Sequence, residues 1–280
     1  MTAMTDRRAL GAMQAMHVSP ICLGAVDDPD TVLAAYDRGV NFFFVSADLH
    51  WPHYQPLRAG LERLLAARPG ARDRIVVAGV SYIVQRDFCS VAFQELVDAV
   101  PGLERLDLLV AGGAYSADEP RFARYATLRA ERHVGARAIG ASFHDRGAAL
   151  RCIDDETFDI AFVRYNARHS GAIHDLFPHI DPGTPVRVYS FKSTAGATTA
   201  ARCRALGLGD NHWIPRMTDY YRFALSHPAV DGVLCAPRTP AELEALADAL
   251  AAGPLDLDEI EHLLLLAQLD AGVAELGAAA

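Results

Sequence analysis

Eight times along this chain a short run rich in Val, Ile, Leu and Phe is followed by a stretch with apolar residues at helical spacing. The runs are Val18 to Leu23, Val40 to Val45, Arg74 to Val80, Leu106 to Ala111, Ala136 to Ser142, Ile160 to Tyr165, Val186 to Phe191 and Val230 to Ala236. Their continuous apolar character is what a parallel strand covered on both faces requires. Between them lie Asp30 to Arg38, Pro56 to Arg68, Val91 to Val100, Arg121 to Arg132, Gly147 to Asp154, Ala197 to Leu206 and Pro240 to Ala251, all rich in good helix formers. Asp28-Pro29-Asp30, Asp118-Glu119-Pro120 and Thr239-Pro240 supply helix starts, and Gly39, Gly135 and Gly207 supply stops. Only a short helix around Ile173 to Phe177 fits the sixth link, while the longest link, before the last run, holds a further helix over Arg216 to Ser226.

The pattern predicts an α/β fold, a (β/α)8 TIM barrel, for which about 250 residues suffice. The whole chain, 1–280, reads as one barrel domain closed by a C-terminal amphipathic helix at about 257–269. A net charge of -9, without a Lys/Arg block, argues against nucleic acid or an anionic membrane as partner and favours a small-molecule substrate. Cys22, Cys89, Cys152, Cys203 and Cys235 are scattered and odd in number, which suits a reducing compartment. Met1 to Ala15 lacks the apolar core of a signal peptide, and Leu263 to Ala267 is far too short to span a bilayer. The expectation is a cytoplasmic protein; its oligomeric state is left open.

Several local phrases are similar to the aldo-keto reductases and occur in that family's order. Arg8-Ala9-Leu10-Gly11 with Val18-Ser19-Pro20-Ile21-Cys22-Leu23-Gly24 resembles the opening hairpin and first strand. Gly39-Val40-Asn41-Phe42-Phe43 resembles the entry to the second strand. Ile139-Gly140-Ala141-Ser142, Tyr165-Asn166, Val188-Tyr189-Ser190 and Ala236-Pro237-Arg238-Thr239-Pro240 follow in order. The resemblance implies an aldo-keto reductase-like barrel and nicotinamide-dependent carbonyl reduction, in which a Tyr, tuned by Lys, His and Asp, donates a proton. On that register the chain departs from the family at all four catalytic positions. Asp falls at Val45, Tyr at His50, Lys at Gly79-Val80 and His at Gly112. Tyr54, Tyr82 and Tyr115 are the nearest spare phenols, and none has a Lys beside it. For an NADP(H) cofactor, the resemblance keeps Ser142 for the carboxamide, Tyr189 for stacking, and Ser190 and Arg238 for phosphate, while Phe143 and Phe162 replace amide side chains.

In a βα barrel the C-terminal strand ends converge on one mouth. Those ends carry Asp48, His50, His53, Tyr82, Tyr115, His144, Asp145, Arg164, Asn166, Lys192 and Arg238. Asp48, His50, His53 and His144 are candidate acid-base groups, and the same four are candidate ligands for zinc or iron. The bland reading makes them loop or helix-start residues bound to backbone. Arg164 is either an anion clamp or half of an internal ion pair, and Lys192 either holds an anion or faces solvent. Trp51, Tyr82 and Asn166 are candidate substrate contacts, with loop packing as the alternative for Trp51.

Three functions remain. The first is a diverged enzyme acting on a small polar or anionic substrate at the barrel mouth by His/Asp acid-base or metal-assisted chemistry. The second is an NAD(P)H-dependent reductase in which His50 replaces Tyr. The third is a non-catalytic binding or regulatory subunit.

Overall fold

A computed structural model describes the backbone of residues 8–10, 13–209 and 211–278, with side chains over 16–209 and 211–272. Each of the eight apolar runs overlaps a strand, and the eight strands close into a parallel barrel. In chain order they are β3 (Ile21–Leu23), β4 (Phe42–Ser46), β5 (Val76–Ser81), β6 (Leu108–Ala114), β7 (Ala138–Phe143), β8 (Ile160–Arg164), β9 (Arg187–Phe191) and β10 (Gly232–Cys235), and β10 returns to pair with β3. Before them β1 (Arg8–Leu10) and β2 (Met13–Val18) pair antiparallel. The turn between these two, and residues 1–7 of the leader reading, lie outside the described residues.

The first apolar run, Val18 to Leu23, is split between two sheets. Ser19 and Pro20 make the corner, and the side chain of Asn41 pins it by accepting from Ser19 N at 2.8 Å and donating to His17 O at 2.8 Å. That explains why an amide stands at the entry to β4, where backbone groups leaving a sheet would otherwise be unpaired.

The outer helices are α1 (Asp30–Asp37), α2 (Gln55–Ala67), α3 (Val91–Ala99), α4 (Arg121–Ala130), α5 (Arg146–Asp154), α6 (Ala172–Asp175), α7 (Ala200–Ala205), α8 (Met217–Leu225), α9 (Pro240–Ala251) and α10 (Leu257–Ala278). Helix α7 starts later than its composition suggests because Thr199 caps it, accepting from Arg202 N, and Thr198 N is taken by the Tyr220 hydroxyl. Helix α10 covers the wall with buried Leu263, Leu266 and Ala267. Among the described residues no helix is long and apolar enough to cross a membrane.

Aromatic rings fill the barrel axis. Phe42 meets Tyr189 edge-on at 5.5 Å, and Phe162 meets Phe44 at 5.1 Å and Tyr189 at 5.8 Å. Below them, at the N-terminal end of the barrel, Asp107 (1% exposed) accepts from Arg72 Nη2 and from Val77 N, both at 2.9 Å. Arg72 also donates to Leu103 O and Arg105 O, so the buried cation is well supplied. Removing one partner of such a pair leaves the other charge uncompensated. Asp107→Ala is therefore expected to lower unfolding stability by about 3–5 kcal/mol, read as a fall in the urea midpoint with little change in slope.

Candidate functional site

Above Phe44 and Phe162 the barrel opens into a cavity of about 440 Å³ at the C-terminal strand ends. Its aromatic wall comes from Trp51, Tyr54, Tyr82 and Phe191, and its polar edge from His53, Ser142, His144, Lys192 and Ser193. Thr194, Tyr221 and Ala236 line this cavity and also a second groove of about 520 Å³, which runs between the first turns of α8 and α9 past Arg216, Thr218 and Arg238.

The β4–α2 loop builds one side. Asp48 Oδ1 accepts from His50 N at 3.0 Å, a local turn that leaves both residues exposed and outside the cavity lining. The chain then swings back through Trp51, whose ring lies 5.4 Å from Tyr54 and 5.7 Å from Tyr82. Tyr54 is only 7% exposed. Burial, then the neighbouring Tyr82 phenol and Cys22 thiol, push its hydroxyl well above the usual tyrosine range, so at neutral pH it is a proton-bearing donor. Tyr82 is raised by burial as well. Its ring lies over Gly112, where a Cβ would come within 2.6 Å of it.

The other side rises from adjacent strands. Ser142 Oγ accepts from Gly113 N at 2.8 Å, which leaves its own proton free to meet a ligand. His144 stacks on Tyr115 at 5.0 Å and meets Phe191 edge-on at 5.7 Å. Burial, then Lys192 and Arg164, lower its pKa, so the ring is neutral at neutral pH. Lys192 follows Phe191 with a left-handed backbone (φ 56°), and Asn166 Nδ2 grips its carbonyl at 2.7 Å. Asn166 Oδ1 also accepts from His169 N, so Asn166 is spent on holding two loops and does not line the cavity.

The sequence-based candidates thus divide. His53, His144, Ser142, Trp51, Tyr82 and Lys192 line the cavity; Asp48, His50 and Asn166 do not. Arg164 stands beside it in a smaller pocket of about 80 Å³, and Arg238 lies in the outer groove, paired with Glu242 at 2.5 Å. Neither Tyr189 nor Ser190 lines the cavity: Tyr189 lies below it, its Oη donating to Ser19 O at 2.7 Å, and Ser190, on the other face of β9, donates through Oγ to Tyr165 O at 2.8 Å. Inward side chains recur every second residue along a strand, so the ring that reaches the mouth is Phe191. In β4 the displacement is of one residue and changes the face: the cavity-facing side chain is Phe44 and not Val45. The proposed zinc or iron set is not gathered: among the described residues, no group of three or more His, Cys, Asp or Glu is placed to hold a metal ion. Tyr54, one of the spare phenols noted in the sequence, lines the cavity too; it stands just before α2 and joins the buried stripe Leu57, Leu61 and Leu64 that the helix turns inward.

No protein-family description and no curated protein matches the chain. Its structure is similar to the holo form of the aldo-keto reductase AKR11C1 from Bacillus halodurans, with a TM-score of 0.71 at 16% identity, covering 94% of this chain and 96% of that one. The apo form of the same reductase gives a TM-score of 0.67 at 16% identity and the same coverage. The chain therefore has the aldo-keto reductase fold.

Three histidines are held below the ordinary value by burial: His144, His169 and His227, the last packed on Phe177 at 4.3 Å. The fold favours their neutral forms, so as pH falls through about 6.5 the unfolded chain takes up protons first and stability is lost. The thermal midpoint is expected to fall steadily below that pH, and His227→Phe to flatten the slope; differential scanning calorimetry across that range checks both.

Proposed function

We propose that this protein is a nicotinamide-dependent oxidoreductase in which a buried phenol, Tyr54, takes the proton-handling role. The observation that carries this reading is the adjoining of the mouth cavity and the outer groove through Thr194, Tyr221 and Ala236, which together offer one extended cleft with a ring-sized inner end. The donor set fits an elongated dinucleotide. At the inner end Phe191 offers a face for a flat ring and Ser142 a hydroxyl for its amide. Midway stand the Ser193 and Thr194 hydroxyls. At the outer end the first turns of α8 and α9, with Arg216 and Arg238, favour phosphate, and Thr218 Oγ1 there is buried without a hydrogen-bond partner. When bound, a nicotinamide supplies or accepts the hydride of a carbonyl–alcohol interconversion.

The chain's own residues supply the rest. Aromatic walls exclude water from the reacting carbonyl, and Tyr54 presents a neutral hydroxyl to the oxygen on which negative charge develops. No Lys stands by to acidify that phenol, so the reverse direction, which needs a phenolate, is disfavoured at neutral pH. His53 and His144 are the two members of the His/Asp set that remain in reach of a substrate, as hydrogen-bonding groups. His50 is too far out on its turn to act on the same atoms.

NADPH added to the purified protein is expected to show fluorescence quenching with saturation below the millimolar range. No binding of either NADPH or NADH at millimolar concentration would overturn the proposal. Tyr54→Phe is expected to bind the cofactor as before but to reduce aldehydes or ketones about 100-fold or more slowly, with His50→Ala near wild type. Cofactor binding without turnover of any carbonyl, unchanged by Tyr54→Phe, would favour the binding or regulatory subunit instead.

A further inference from the structure

One guanidinium at the barrel mouth has no counter-charge. Arg164 closes β8 with its Nε buried and unpartnered, and among the described residues no carboxylate lies within ion-pair distance of it. Its Nη2 donates to His169 Nε2 at 2.7 Å, while His169 Nδ1 donates to Asn166 Oδ1 at 3.2 Å, so the imidazole is fixed as a neutral prop that orients the arginine without neutralising it. Arg164 is only partly buried, and an anion arriving from outside would give both its charge and its orphaned Nε a partner.

The surroundings define that partner. Arg164 is the last residue of β8, and His144 and Lys192 directly follow the adjacent strands β7 and β9, within a residue of the same level of the mouth. The small pocket in front of Arg164 is lined also by His144, Asp145, Arg146 and His169, and His144 lines the main cavity too, so one imidazole separates the two spaces. Of the nearby carboxylates, Asp145 is occupied in capping α5, accepting from Ala148 N at 2.7 Å, and Asp175 is taken by Arg146. Lys192 carries its charge on a left-handed backbone that a side chain with a Cβ rarely adopts, held there by Asn166. The depressed pKa values of His144 and His169, to which Lys192 and Arg164 contribute after burial, report the same unbalanced positive field. Opposite this edge stand Phe44, Trp51, Tyr54, Tyr82 and Phe162.

We infer that the ligand of the mouth cavity is amphipathic, an apolar or aromatic body bearing a carboxylate or phosphate, and that Arg164, with Lys192 and His144, holds the anionic group. This rests on the cavity being the substrate site of the oxidoreductase proposed above. The aromatic wall takes the body and places the reacting carbon near Tyr54, while the anion fixes its orientation by charge-assisted hydrogen bonds.

The test is calorimetric titration of the whole protein with benzoate, phenyl phosphate, inorganic phosphate and the neutral isostere benzamide. Benzoate or phenyl phosphate is expected to bind about tenfold or more tightly than benzamide, and whichever is tighter identifies the anion. Arg164→Met is expected to remove that preference, Arg164→Lys to restore part of it, and both to leave benzamide and NADPH affinity unchanged. Inorganic phosphate binding alone, equal affinity for benzoate and benzamide, or a preference surviving in Arg164→Met would overturn the inference. If Arg164→Met does not fold, Lys192→Met and a salt titration decide: the preference must weaken in both. Loss of NADPH affinity in Arg164→Met would assign the arginine to the cofactor and also overturn it. Anion preference with no NADPH binding to the wild type would leave this inference standing and defeat the oxidoreductase reading.

Discussion

Four rings, Phe42, Phe44, Phe162 and Tyr189, occupy the axis of the barrel, and the closed sheet depends on their contact. A ring of eight strands encloses a space that side chains must fill at close packing. Here aromatic edges and faces fill it up to the level of Phe44 and Phe162, and the cavity begins where they stop. Depth, width and apolar character of the site follow from that filling. The floor of the cavity is two phenylalanines, and its polar side chains stand above them.

The rim needs its own support, and a second buried cation provides it. Arg121, with no exposed surface, donates through Nε to Glu119 at 2.6 Å and through Nη2 to Gly112 O at 2.9 Å. Glu119 in turn accepts from Tyr115 N at 2.8 Å. This cluster binds the end of β6 to the loop that carries Tyr115, on which His144 stacks. Arg121 and Arg164 therefore illustrate opposite uses of a guanidinium: the fully buried one is saturated from within and fixes a loop, while the partly exposed one keeps a buried Nε without a partner.

The barrel was legible because its signal is coarse. Continuous apolar runs at regular intervals survive an error of a residue or two, and each of the eight strands overlaps one of the eight runs, although β4, β5, β6 and β7 end one to three residues beyond theirs. The site was less legible for the same reason. When both faces of a strand are buried, neither face is marked by polarity, and nothing in Val45 or Phe44 says which of the two looks into the mouth; Tyr189 and Phe191 share the inward face, and there it is depth along the strand that the sequence leaves unmarked. Family resemblance pointed to Ser142, and the strand-end rule to His144, both of which line the cavity; the aromatic that the resemblance singled out, Tyr189, lies one pleat below it, where Phe191 takes its place. Asp48 and His50 attracted attention by their place after the second strand and, for His50, by the family register, but the local turn they form leaves both exposed and outside the cavity lining. Tyr54 carried the better signal, an aromatic on the inward stripe of α2, but a signal of packing rather than of chemistry.

The overlap of Tyr82 with the space above Gly112 ties two positions on neighbouring strands together. A Cβ at 112 would come within 2.6 Å of the Tyr82 ring and 2.9 Å of Val80, so a side chain there requires the ring to move. The same ring lies 5.7 Å from Trp51, so a smaller residue at 82 would open the wall on that side. The bare backbone at 112 and the phenol at 82 are thus one packing unit: the shape of the aromatic wall is set by a residue with no side chain at all.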